Sequence, residues 1–123
     1  MTRRAAPFLA LFLGLAVIFA TSLLVVCATA RADDKKPAAT VGMKGSQYGP
    51  REVSVHVGDT VLFNNDDSMA HTVTAADKSF DSGDIGAGSS WSHTFDKAGT
   101  YAYICTYHNW MHGTVKVTEA SGQ

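Results

Sequence analysis

The sequence predicts an all-β chain folded as a Greek-key β-sandwich of seven to eight short strands, and three observations carry this. Apolar and polar residues alternate along short runs, clusters of Gly, Asp, Asn and Ser separate those runs, and no segment beyond the leader keeps a helical period. Val53, Val55 and Val57 alternate with Ser54 and His56 and stop at Gly58-Asp59, a half-buried strand whose polar face turns His56 to solvent. Thr60 to Asn65 gives the next strand, Asn65-Asp66-Asp67-Ser68 the loop after it, and Ala70 to Ala75 the strand beyond that loop. Residues 77–90, rich in Gly, Ser and Asp, lack any period and read as a long excursion across the surface. Trp91, His93 and Phe95 alternate with Ser92 and Thr94, which puts His93 on the inward face as a hydrogen-bonded core histidine. Asp96-Lys97-Ala98-Gly99 then turns the chain into Tyr101, Tyr103 and Cys105, and Thr114 to Thr118 is the last strand.

The N-terminal quarter has a different composition. Thr2-Arg3-Arg4 precedes an apolar run from Ala5 to Ala28, and Ala28-Thr29-Ala30-Arg31-Ala32 closes it with small residues, the order of a secretory signal peptide. Cleavage after Ala32 makes 1–32 the signal, 33–39 a flexible charged leader, 40–119 the domain and 120–123 a C-terminal tail. An uncleaved anchor is the competing reading, because Phe8 to Val26 nearly spans a bilayer. Arg3-Arg4 lacks the surroundings of a twin-arginine signal, and Cys27 follows Val26 where a lipoprotein site wants a small residue. The secretory reading places the domain in the periplasm, a monomer free of the membrane.

Charge and cysteine count narrow the function. Without Arg3, Arg4 and Arg31 the chain keeps seven basic residues against eleven acidic ones, an unfavourable balance for a nucleic-acid partner. Once Cys27 leaves with the signal, Cys105 is the single thiol, so no intramolecular disulfide forms. A lone thiol in an oxidising compartment is buried and inert, paired between chains, or occupied by a metal.

The densest chemistry is Cys105-Thr106-Tyr107-His108-Asn109-Trp110-Met111-His112-Gly113. A thiolate, imidazole and a weak thioether form the soft, mixed donor set that suits one copper ion cycling between Cu(I) and Cu(II); zinc has little use for Met. Cys105, His108 and Met111 supply three donors, and the best fourth is His71, which opens the strand after the loop at residues 65–70. Three alternatives compete: Met69 as the thioether in place of Met111, His112 as a ligand in its stead, and Cys105 as an inert core thiol.

Val57-Gly58-Asp59-Thr60-Val61, Phe63-x-Asn65, His71-x-Val73, Phe95-x-x-Ala98-Gly99-Thr100-Tyr101-x-Tyr103, and Cys105-Thr106-x-His108 with Met111 occur in the order of a known family. From about Glu52 to Thr118 the chain resembles the cupredoxins, type 1 blue copper proteins, and among them the amicyanins, with plastocyanins and pseudoazurins further off. The spacing Cys-x-x-His-x-x-Met is the one amicyanins use. The resemblance implies a cupredoxin-like sandwich with His71, Cys105 and His108 as strong copper ligands and Met111 as the weak axial one. It also implies that Asn65 ties the His71 loop to the Cys105 loop by hydrogen bonds. Tyr107 and Asn109 stand where amicyanins carry Pro, and Ala70 where Pro usually precedes the first His. The added backbone N–H groups imply altered hydrogen bonding near the Cys105 sulfur and a shifted potential. His112 stands where the family is often basic.

The same resemblance implies a small electron-transfer protein outside the cytoplasm, passing electrons between redox proteins such as a dehydrogenase, a cytochrome or an oxidase. Tyr107, Trp110 and Met69 then form the apolar surface around His108 on which a partner docks. The alternative is a periplasmic copper carrier or storage protein, which would expose a Met and His cluster; Met43, Met69, Met111 and His112 are a sparse version of one. An enzyme is disfavoured: the sequence has no His-Cys-His run and no second mature Cys, and a catalytic copper needs an open coordination position, which exists only if Met111 does not bind.

Overall fold

Period-two burial runs through the chain wherever a strand forms, and the computed structural model describes residues 35–121. The signal segment, the first two residues of the leader and the last two of the tail lie outside the described residues. Eight strands succeed one another: β1 (Ala39–Met43), β2 (Tyr48–Gly49), β3 (Glu52–His56), β4 (Thr60–Asn65), β5 (Thr74–Ala75), β6 (Ser90–Thr94), β7 (Gly99–Cys105) and β8 (His108–Thr118). Among the described residues there is no helix. The strands form two four-stranded sheets, ordered β2-β1-β4-β6 and β3-β8-β7-β5. β1 lies parallel to β4 and β3 parallel to β8, and the remaining pairs are antiparallel. β1 begins at Ala39, inside the segment read as leader, because Ala38 N–H already donates to Thr60 O at 2.9 Å and starts the ladder with β4.

Alternation decides which side chains fill the sandwich. In β4 it buries Val61, Phe63 and Asn65, and in β8 it buries Met111, Gly113, Val115 and Val117. Val41, Val61, Phe63, Val73 and Val115 are fully buried, and Tyr103 stands edge-on to Tyr48 and Phe63 at ring distances of 4.7 and 5.5 Å. Asn65 closes the inward face of β4 with a polar group, and this end of the sandwich carries the chemistry.

Three segments depart from or add to the reading of the sequence. Ala70 to Ala75 is a strand only at Thr74–Ala75, because its earlier N–H groups find acceptors that a ladder does not offer. Thr72 N–H donates to Cys105 Sγ at 3.4 Å and Val73 N–H to Ser82 Oγ at 2.7 Å, while His71 exchanges two backbone bonds with Ile85. Residues 77–90 cross the surface, with most of their side chains exposed, but Phe80 and Ile85 are buried in the core and anchor the excursion. His93 is half-buried and lies in an aromatic stack, parallel to Trp91 at 5.5 Å and against Phe80 and Phe95 at 4.8 Å. Burial in that stack lowers its pKa.

Candidate metal centre

Cys105 ends β7 in phase with Tyr101 and Tyr103, so its thiol points into the sandwich and is 1% exposed. Thr106 and Tyr107 form a two-residue turn, and His108 pairs directly across from Cys105 as β8 begins. The connection of roughly seven residues expected between Cys105 and the last strand is therefore a tight turn and then an irregularity. Ile104 pairs with His112 and Cys105 with His108, so Asn109, Trp110 and Met111 occupy a single step of β7. Such a bulge re-aims side chains locally. Here it exposes Asn109 and Trp110 and buries Met111 in line with Gly113, Val115 and Val117.

His71 arrives from the other side. Its backbone is pinned to Ile85 by bonds of 3.1 and 2.7 Å, and its ring is fully buried. His71 Nδ1 lies 3.7 Å from Cys105 Sγ and His108 Nδ1 lies 3.6 Å from it; the three donor atoms all fall within 4.8 Å of one another. Donors bound at about 2.0 to 2.3 Å around one ion in a plane stand about 3.5 to 4 Å apart, so the two sulfur–nitrogen spacings fit a shared metal. A thiolate with two imidazoles, beside a buried thioether, fits copper better than a hard cation.

The buried sulfur has one backbone donor and two aromatic hydroxyl side chains nearby. Thr72 N–H is the backbone donor that points at Sγ, rather than the N–H of Tyr107 or Asn109 that stands in place of a family proline. Burial pushes the Tyr48 phenol far up, with the nearby Cys105 adding to it, and burial likewise raises Tyr103, so both rings stay neutral beside the site. The Tyr48 hydroxyl donates to Thr72 O, fixing the segment that carries the donor N–H.

Asn65 takes a different part from the one the resemblance implied. Its Nδ2 donates to Met69 O at 2.7 Å and Ile85 O at 2.8 Å, and its Oδ1 accepts from Asp67 N–H at 3.0 Å. It thus holds the 65–71 loop in shape and fastens it to Ile85. The tie to the Cys105 turn is made by Thr72, whose Oγ1 accepts from Thr106 N–H at 3.0 Å and lies 3.3 Å from Thr106 Oγ1. The sequence offered no signal for it beyond Thr72 sitting next to His71. Thr72→Val keeps the shape and removes these bonds. A loss of about 1 to 2 kcal/mol is expected. Thermal unfolding of the metal-free chain should therefore fall by about 4 to 8 °C per kcal/mol. An unchanged midpoint would show that the link contributes nothing.

Asp67 also went unnoticed in the sequence. Its carboxylate receives Gly45 N–H at 2.7 Å and Ser46 N–H at 2.9 Å, and lies 2.7 Å from His71 Nε2. The Ser46 and Gly45 N–H groups, with His71 adding to them, pull its carboxyl down to about 2.

Met69, Tyr107 and Trp110 are large apolar side chains left 50, 55 and 58% exposed, and the Trp110 ring lies 5.1 Å from that of half-buried His108. The Tyr107 hydroxyl donates to Asp84 at 2.6 Å, which fastens the ligand turn to the 77–90 segment. His112 is exposed on β8 and His56 is exposed on β3, both outside the donor cluster.

A family model for the cupredoxin-like domain matches residues 15–117. The chain is similar to amicyanin of Paracoccus versutus, 32% identical over 93 residues, covering 72% of this chain and 70% of that protein. It is also similar to amicyanin of Paracoccus denitrificans, 36% identical over 90 residues and 65% of each chain, so it spans slightly less than two thirds of that relative. Among solved structures, a reduced amicyanin mutant superposes with a TM-score of 0.60 at 34% identity, covering 63% of this chain and 79% of that one. The copper-containing nitrite reductase of Thermus scotoductus SA-01 gives a TM-score of 0.64 at 32% identity, over 69% of this chain but only 23% of the reductase.

Proposed function

This chain belongs to the cupredoxin-like family, and from that premise we propose that it is a small electron carrier holding one type 1 copper at His71, Cys105, His108 and Met111. The observation that carries the reading is the cluster itself: three donor atoms within 4.8 Å, on rigid strands and pinned loops, with one imidazole half-buried beside the exposed Trp110 ring. Copper bound there supplies a one-electron couple between Cu(I) and Cu(II).

The protein's part is to hold the donors still. Cys105 is fixed by β7, His108 by its pairing with Cys105, and His71 by Ile85 and Asp67, so little can rearrange when the charge changes. A site that moves little costs little to reorganise, which suits transfer over catalysis. His108, with Tyr107, Trp110 and Met69 around it, is the side on which a redox protein would dock and to which the electron would pass. Burial of Met43 and Met111 speaks against a metal-handing carrier, because Met69 alone of the three is left on the surface. The N-terminal sequence supports a periplasmic location, and the redox partner is a protein of the class of dehydrogenases, cytochromes or oxidases.

Addition of Cu(II) with visible absorption and electron spin resonance tests the reading. An intense blue thiolate-to-copper band with narrow copper hyperfine splitting is expected, and a colourless product would overturn it. Met111→Leu, which conserves volume, should cost less than about 1.5 kcal/mol. It should keep copper bound while changing both spectrum and potential. Met69→Leu should leave both unchanged, and the reverse pattern would transfer the thioether role to Met69.

A further inference from the structure

His71 is the fully buried imidazole of the cluster, and a neutral imidazole carries one N–H and one lone pair. Which nitrogen bears the proton is set by the partner of the other. His71 Nδ1 faces Cys105 Sγ, while Nε2 lies 2.7 Å from Asp67 Oδ2. The carboxylate has its own support: Gly45 N–H and Ser46 N–H hold it, and Asp67 N–H is bound by Asn65 Oδ1. Gly45 and Ser46 both have positive φ, 61° and 53°, so the chain adopts a left-handed turn at a residue with a side chain and points two consecutive N–H groups at one carboxylate. Four residues from two segments thus converge on the back of one imidazole.

Resting on the copper reading above, we propose that Asp67 is a positioning residue for the metal: it accepts a hydrogen bond from His71 Nε2–H, which leaves the Nδ1 lone pair for the copper, and its negative charge favours the oxidised ion. A carboxylate behind a ligating imidazole raises the basicity of the ligand. The more highly charged Cu(II) gains more from that basicity, and from the nearby negative charge, than Cu(I) does. The 44–47 turn thereby becomes part of the site, although it touches no ligand directly.

The competing role for Asp67 is purely structural, as an anchor for that turn, and the two roles predict different readouts. Asp67→Asn keeps an oxygen facing Nε2 but removes the charge. We expect it to retain the blue band and to lower the preference for Cu(II) over Cu(I) at least tenfold, a rise in potential of about 59 mV for a one-electron couple. Asp67→Ala should raise the potential as well and broaden the spectrum, because the ring loses its partner, and Asp67→Glu should recover part of the potential. The ¹⁵N spectrum of the full metal-free chain gives a test without substitution: His71 should be protonated at Nε2 in the parent and in Asp67→Asn, and should lose that fixed tautomer in Asp67→Ala. A lowered melting point with a potential unchanged in Asp67→Asn would reduce Asp67 to a turn anchor, as would a parent His71 protonated at Nδ1. A parent chain that takes up copper without a blue band would remove the copper reading and this inference together, whereas a blue parent with an unmoved potential in Asp67→Asn removes this inference alone.

Discussion

Replacing Cys105 by Ala is expected to abolish the blue thiolate-to-copper absorption and to weaken copper binding by more than about a hundredfold, beyond the loss typical of an outer-shell change. The thiol lies at the centre of the donor cluster, with an imidazole nitrogen 3.7 Å away on one side and another 3.6 Å away on the other. It is also the one soft anion among the three, so without it two imidazoles and a thioether remain, a weaker set that lacks the charge-transfer donor. The fold itself should survive: a buried Cys behaves as a small apolar residue, and its removal costs about 1 kcal/mol. Visible absorption during Cu(II) titration, with circular dichroism of the metal-free variant as a control for folding, separates the two effects. A Cys105→Ala chain that still turns blue would disprove the assignment of the sulfur.

Gly113→Ala is expected to be the most destabilising of the small substitutions near the site, at about 1 to 3 kcal/mol or somewhat more. Gly113 pairs across from Tyr103, and a Cβ there would sit within 2.5 Å of Cζ, Cε2 and the hydroxyl oxygen of that ring. Tyr103 has nowhere to go, because it is almost fully buried and boxed in by Tyr48 and Phe63. Relief must therefore come from β8, and Met111 lies two residues along it, so copper affinity should fall with stability. A melting point about 4 to 8 °C lower per kcal/mol lost is the readout. Combining it with Tyr103→Leu should cost less than the sum of the two single changes, since both act on one space. A Gly113→Ala chain that melts with the parent would mean that the ring and the strand are not in close approach.

Gly113 shows where a linear reading stops. In the sequence it is the residue after the last histidine of a metal-rich run, and only the pairing of β7 with β8 gives it a ring to accommodate. β1 and β2 belong to the same class: the apolar pattern of Val41 and Met43 does not announce that β1 runs parallel to β4, a partner about twenty residues away. Residues 77–90 lie on the surface as their loop composition implies, but the composition does not announce that Phe80 and Ile85 fasten them to the core.

By itself the sequence determined the all-β class, the strands carrying Val53, Val55, Phe63 and Tyr103, and the spacing of Cys105, His108 and Met111 along one stretch of chain. These are local properties: strand alternation repeats every second residue and ligand spacing is counted along the backbone, so both are written in neighbouring letters. The sequence also pointed to His71 as the partner of Cys105 across 34 residues, but tertiary structure alone decided that Thr72 rather than Asn65 links the two segments, and that Asp67, steadied by Gly45 and Ser46, stands behind His71. Those contacts depend on the register of two packed sheets, and register is set by the burial of the whole core at once rather than by any residue beside the site.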